Sequence, residues 1–232
     1  MSKSQLPKLS TPLINRLRAR RHKLLWWWTT RSYPLIKRLL DLAVVLPAVL
    51  LLAPLLALVA LAIKLHDRGP VLHWQQRVGL HGRSFRFPKF RSMCVNAEAV
   101  RSALLAHNQH GGDGVTFKLK RDPRVTPIGR WIRRSSIDEL PQLWCVLRGD
   151  MSLVGPRPPL PSEVSRYTMA ERQRLSVLPG LTCIWQVSGR SEVPFPQQVR
   201  MDIDYIQGRS ISADLMLLAK TLPAVLRGHG AY

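Results

Sequence analysis

The stretch from Leu42 to Ile63 constrains this chain more than any other, because it is an unbroken run of uncharged, mostly apolar residues. As one helix it measures roughly 33 Å at 1.5 Å per residue, enough to cross a bilayer core of about 30 Å. Two features argue against a simple span. Pro47 and Pro54 sit inside the run, and an interior proline removes a backbone hydrogen bond and kinks a helix. A break at Pro54 leaves arms of roughly 15–18 Å, each too short to cross. Both flanks are also cationic, with Lys37 and Arg38 before and Lys64 and Arg68 after, which favours a cytoplasmic location for both ends. A segment that enters, bends at Pro47 and Pro54 and returns satisfies both facts. A plain transmembrane span is the competing reading, since prolines do occur in true spans.

Around this segment the chain divides into a basic arm over residues 1–36, a re-entrant membrane helix over 37–66 and a domain of soluble character over 67–232. No Asp or Glu precedes Asp41, and Trp26, Trp27 and Trp28 follow a cluster of arginines. Cations beside indoles suit a headgroup layer of anionic lipids, while a disordered basic tail explains the same composition. Lys and Arg number 35 against 14 Asp and Glu, an excess that calls for an anionic partner but does not choose among nucleic acid, membrane and phosphorylated substrate. No nucleic-acid motif is present, and the apolar segment speaks against a soluble binder. Cys94, Cys145 and Cys183 lack any metal-ligand or C-x-x-C spacing and read as reduced thiols. The fold expected is α+β and mostly helical, with a hairpin within Val71–Phe90 and helices over Pro141–Leu147, Ser162–Leu175 and Asp214–Leu226. Gly111–Gly114 reads as a loop.

The densest chemistry lies in Arg133-Arg134-Ser135-Ser136-Ile137-Asp138-Glu139-Leu140-Pro141. Ser136 to Glu139 matches a capping box, but Pro141 would then need an N–H it lacks. Capping by Asp138 moves the proline into the tolerated first turn and puts the carboxylates at a helix N-terminus, where phosphate is also favoured. A cap and a phosphate site therefore both remain open. Gly149–Pro159 reads as a stiff loop presenting Arg157, whose guanidinium suits phosphate. Lys89 and Arg91, at i and i+2, fall on one side of a strand. Pro179–Thr182 and Gln186–Arg190 read as two turns flanking a short apolar strand, and Asp202 and Asp204 as surface charges or site residues.

Taken together, these motifs resemble the bacterial sugar transferase family, the monotopic polyprenyl-phosphate phosphoglycosyl transferases, in their minimal catalytic form. The resemblance runs from Lys37-Arg-Leu-Leu-Asp41 through Arg77–Gly82, Lys89-Phe-Arg-Ser-Met93, Ser136–Leu143, Gly149–Pro158 and Pro179–Thr182 to Gln186–Arg190. It implies transfer of a sugar-1-phosphate from a UDP-sugar to polyprenyl (undecaprenyl) phosphate, initiating exopolysaccharide or related glycan synthesis through a covalent Asp-phosphosugar. By the same resemblance Asp138 is the nucleophile and Glu139 its partner, both near Mg²⁺. Arg157 binds phosphate, and Lys89, Arg91, Gln186, Arg190 and Asp202 serve the substrate phosphates or nucleotide. The implied location is the bacterial inner membrane with the catalytic domain facing the cytoplasm; exposed apolar helices leave a homodimer open. The chain departs from the family pattern at Ala53-Pro54, where Ser-Pro is common, and at Cys145 and Cys183. A non-catalytic membrane-surface scaffold, with the Asp-Glu pair as a helix cap, is the alternative.

Overall fold

The computed structural model describes residues 32–97, 122–189 and 192–227. The basic arm up to residue 31, the Gly111–Gly114 loop and Arg190 lie outside the described residues. Two compact units are defined, Met1–Leu40 and Asp41–Tyr232. The described part of the first, residues 32–40, holds the opening turns of helix α1, Tyr33–Asp67.

From Asp41 onward α1 is two-faced. Val45, Val59 and Ile63 are buried, with Val49, Leu52, Leu55 and Leu56 packed beside them. These positions recur at the helical period and so form one stripe. On the opposite face Leu46, Leu50, Leu51, Leu58, Leu61 and Leu65 are exposed. The break expected at Pro47 and Pro54 is corrected: one helix runs from Tyr33 to Asp67 through both prolines. Each proline withholds one N–H, from the carbonyls of Ala43 and Leu50, and the neighbouring turns carry the helix past it. Termination comes at Arg68, whose φ of 57° is left-handed, followed by Gly69 and Pro70. Cationic Lys64 in the last turn donates to the Arg68 carbonyl at 3.0 Å.

The expected hairpin is present. Strand β1, Leu72–Val78, pairs antiparallel with β2, Ser84–Phe90, in the register His73 with Lys89 and Arg77 with Phe85. Helix α2, Pro127–Arg134, starts on Thr126, whose hydroxyl accepts from Gly129 N at 2.9 Å, with Pro127 in the first turn. A 3-10 turn over Ile137–Gln142 leads into α3, Leu143–Arg148. Strand β3, Ser152–Val154, then pairs in parallel with β4, Gly180–Thr182.

Between those strands the helix expected over Ser162–Leu175 is split into α4, Pro161–Val164, and a 3-10 turn at Glu171–Ser176. Gln186 lies in a short helix, α5, Ile184–Ser188, and not in a turn. Helices α6, Phe195–Gly208, and α7, Ile211–Arg227, close the described chain. One core gathers Val45 of α1, Phe87 of β2, Val146 of α3, Leu153 and Val154 of β3, Tyr205 of α6 and Leu217 of α7. A second joins Val59 and Ile63 to Phe90 and Ile132. The protein is thus mostly helical, with one small antiparallel hairpin and one long apolar helix whose packed stripe belongs to the same cores as the hairpin.

Candidate active site

Ser136 adopts a left-handed conformation at φ 56° and turns the chain out of α2 into the 3-10 turn. Its side chain caps nothing, and the Asp138 side chain makes no hydrogen bond among the described residues. The expected capping by Asp138 is therefore corrected. Asp138 lies inside the first turn of the 3-10 segment, two residues past the position from which a side chain caps. The carboxylate is only 9% exposed and has no ion-pair partner.

Glu139 is the opposite case. Its Oε1 accepts from Lys89 Nζ at 3.1 Å and from Arg157 Nη2 at 2.7 Å, while Oε2 carries no protein partner. Lys89 comes from β2, and its Nζ stands 5.4 Å from the Phe87 ring centre. The Arg77 guanidinium lies over the same ring at 5.3 Å. Arg77 also donates to the Pro158 carbonyl at 3.0 Å, and Val78 N donates to Pro159 O at 2.9 Å. The end of β1 thereby pins the loop that carries Arg157.

That loop is fixed from its other side by a backbone crossing. Gly155 N donates to Thr182 O at 3.0 Å and Gly180 N to Pro156 O at 2.9 Å. A Cβ placed on Gly180 would lie 2.0 Å from Gly155 N, so only glycine permits the approach. The glycines of Gly-Pro-Arg-Pro and Pro-Gly-Leu-Thr thus serve to hold Arg157 in place.

Electrostatics separates the two carboxyls. Burial, with the adjacent Glu139 charge added, pushes Asp138 up to about 6 against the pull of Lys89, Arg133 and Arg157. For Glu139 burial acts in the same upward direction, but the charges and hydrogen bonds of Arg157 and Lys89 overcome it and hold the carboxyl far below its ordinary range. One carboxyl is held ionised by its two cations; its neighbour accepts no side-chain hydrogen bond among the described residues and is pushed up to about 6. Such a split is how two like groups take different chemical roles. Burial, reinforced by Arg157, lowers Arg77 to about 10.

The structure brings Lys89 and Arg157 to the pair and leaves other expected residues elsewhere. Arg91 sits one residue past the end of β2 and forms an ion pair with Asp67, at the end of α1. Asp202 is 1% exposed and accepts from buried Arg174 at 2.6 and 2.8 Å, tying α6 to the 3-10 turn before β4. Gln186 Oε1 accepts from the Cys183 thiol at 3.0 Å. All three brace the scaffold and do not reach the Asp138–Glu139 pair. Sequence reading missed Arg77 as the loop's anchor and Arg133 as a charge acting on Asp138; the run Arg133-Arg134 just before the pair was the available signal for the second.

Two adjacent carboxylates, with three oxygens that have no hydrogen-bond partner among the described residues, fit the ordinary Mg²⁺ mode of one or two carboxylates completed by substrate phosphates.

Residues 32–228 match the bacterial sugar transferase family. A galactosyl transferase of Streptococcus agalactiae serotype III is 46% identical over 201 residues, 86% of this chain and 44% of that protein. The undecaprenyl-phosphate galactose phosphotransferase of Salmonella typhimurium is 42% identical over 204 residues, 87% of this chain and 43% of its own length. An exopolysaccharide production protein of Sinorhizobium fredii is 39% identical over 198 residues, 84% of this chain and 88% of the relative. The chain belongs to the bacterial sugar transferase family, and it spans less than half the length of the first two relatives.

Proposed function

We propose that this protein transfers a sugar-1-phosphate from a UDP-sugar to undecaprenyl phosphate, an initiating step of exopolysaccharide or related glycan synthesis. The observation that carries the reading is the unengaged, buried Asp138 beside a Glu139 held by two cations. An Asp138 oxygen attacks the β-phosphorus of the donor. The bond from that phosphorus to the bridging oxygen breaks, and UMP departs with the electron pair. An oxygen of the lipid phosphate then attacks the same phosphorus, the carboxylate leaves, and the lipid-linked sugar diphosphate forms. Splitting the displacement in two lowers each barrier. Arg157 and Lys89 supply fixed positive charge where the equatorial oxygens gain negative charge. Asp138 and the free oxygen of Glu139 would hold Mg²⁺, which when bound neutralises the diphosphate.

The names of the relatives support galactose or glucose as the sugar: one is a galactose phosphotransferase, another a UDP-glucose:undecaprenyl-phosphate glucose-1-phosphate transferase from Caulobacter vibrioides. The leucine-lined outer face of α1 supports a membrane location, since exposing six leucines to water would be strongly unfavourable, and the cationic flanks Lys37, Arg38, Lys64 and Arg68 favour the cytoplasmic side. Its opposite face packs on the catalytic unit from Val45 to Ile63, a course that favours a segment lying in one leaflet over one leaving the domain to cross. The scaffold reading loses its support, because neither carboxylate caps a helix.

In nanodiscs with Mg²⁺ and undecaprenyl phosphate, UDP-galactose or UDP-glucose should yield UMP and a lipid-linked sugar diphosphate. A folded protein that forms neither product across a panel of nucleotide sugars contradicts the proposal. The pH profile follows from the ionisation of Asp138. The attacking form is the carboxylate. Without Mg²⁺ burial holds the Asp138 carboxyl up at about 6, and bound Mg²⁺ should lower that value, so the acid limb of kcat/KM should move to higher pH as Mg²⁺ is reduced. An acid limb that does not respond to the Mg²⁺ concentration would contradict the assignment.

A further inference from the structure

Two carboxylates of α1 connect the apolar helix to the active site. Asp41 Oδ1 accepts from the Leu153 N–H at 3.1 Å. Leu153 lies in β3, four residues before Arg157. At the other end Asp67 holds the Arg91 guanidinium, two residues beyond Lys89. By helical spacing both carboxylates fall in line with Val45, Val59 and Ile63, Asp41 buried and Asp67 half-buried, and both lie in the unit that begins at Asp41. Lys89 and Arg157 are the two cations that converge on Glu139 Oε1. Each end of the packed helix is therefore tied to one of the segments that deliver them. The ties are about 39 Å apart at 1.5 Å per residue and straddle Pro47 and Pro54.

We propose that Asp41 and Asp67 are positioning residues: Asp41 sets the β3 segment leading to Arg157, and Asp67, through Arg91, sets the end of β2 that carries Lys89. The apolar helix then serves as a brace across the site as well as an anchor. Neither carboxylate touches the reacting groups. Their effect is transmitted by the backbone of β2 and β3, and it rests on the reading of Asp138–Glu139 as the transfer site.

The test is a pair of double-mutant cycles in nanodiscs, with activity normalised to folded protein. Asp67→Asn should lower kcat by about ten-fold and leave the donor KM within about two-fold, as misplacement of a group that acts in the transition state does. In a Lys89→Met background the same change should cost no more than about two-fold, because the limb it positions is already silent. Asp41→Leu, which removes the oxygen that accepts from the Leu153 N–H, should show the matching loss and the matching coupling to Arg157→Met, while the crossed pairs add. Asp67→Glu, which keeps the charge, should recover part of kcat, and it substitutes in the cycle if Asp67→Asn does not fold. Full additivity with Lys89→Met, or unchanged kcat per folded molecule, overturns the proposal. Absence of UMP release by the unmodified protein instead overturns the transfer reading itself.

Discussion

Asp138→Asn should abolish transfer and raise the melting temperature of the protein. Asn keeps the shape of the side chain but offers no anionic oxygen, so formation of the phosphosugar stops and UMP release should fall by at least about 10³-fold, the scale of losing a covalent nucleophile. The stability effect has the opposite sign. A carboxyl whose folded-state pKa is about 6 against an ordinary 3.8 binds its proton more tightly in the folded chain. Its contribution to stability is therefore fully present below pH 4 and is lost as the pH rises through 6. At pH 7 the buried anion costs about 3 kcal/mol, an upper figure for what the neutral amide restores. Activity lost and stability gained by the same change is the mark of a group kept for chemistry. Thermal unfolding at pH 7 and pH 4 checks it: the gain should be large at the first and vanish at the second.

Gly180→Ala should be the most damaging small change in the scaffold. The new methyl would meet Gly155 N at 2.0 Å, Gly155 O at 2.5 Å and Gly155 Cα at 2.6 Å. All three are backbone atoms, so no side chain can swing aside. The crossing must open, breaking the hydrogen bonds from Gly155 N to Thr182 O and from Gly180 N to Pro156 O. A destabilisation of about 3 kcal/mol or more is expected, in the range of severe overpacking with lost hydrogen bonds. Arg157, two residues beyond Gly155, would move with the loop, and kcat per folded molecule should fall too. Gly208→Ala is the control, since a Cβ there meets nothing within 4 Å. Equal melting temperatures for the two variants would contradict the role given to the crossing.

Much of this was legible in the sequence where short-range rules apply. The hairpin followed from its residues, α7 from its leucine pattern, and the choice of Lys89, Glu139 and Arg157 as candidates from the resemblance of the motifs, though not the pairing of both cations with Glu139. Ion-pair partners far apart in the chain were not legible. Lys89 and Arg91 share a strand face only while the strand lasts, and β2 ends at Phe90, so alternation no longer governs Arg91. Asp202 meets Arg174 across 28 positions, a pairing no spacing rule encodes. The three-residue strands β3 and β4 are too short to give a periodic signal, and their parallel pairing rests on two glycines whose close approach appears only in three dimensions. The cap was misplaced because a left-handed Ser136 followed by Pro141 produces a 3-10 turn and not the α-helical start that capping rules assume.

In the proposed reaction Asp138 becomes covalently bound to the sugar phosphate. This step is tested most directly by mixing the nanodisc-embedded protein with UDP-sugar in the absence of lipid phosphate, quenching, and measuring the mass of the peptide containing Asp138. A mass increase equal to one sugar phosphate on Asp138, formed with a stoichiometric burst of UMP and discharged by added undecaprenyl phosphate, is the predicted result. UMP release that requires the lipid from the first turnover, with an unmodified Asp138 peptide, would contradict it.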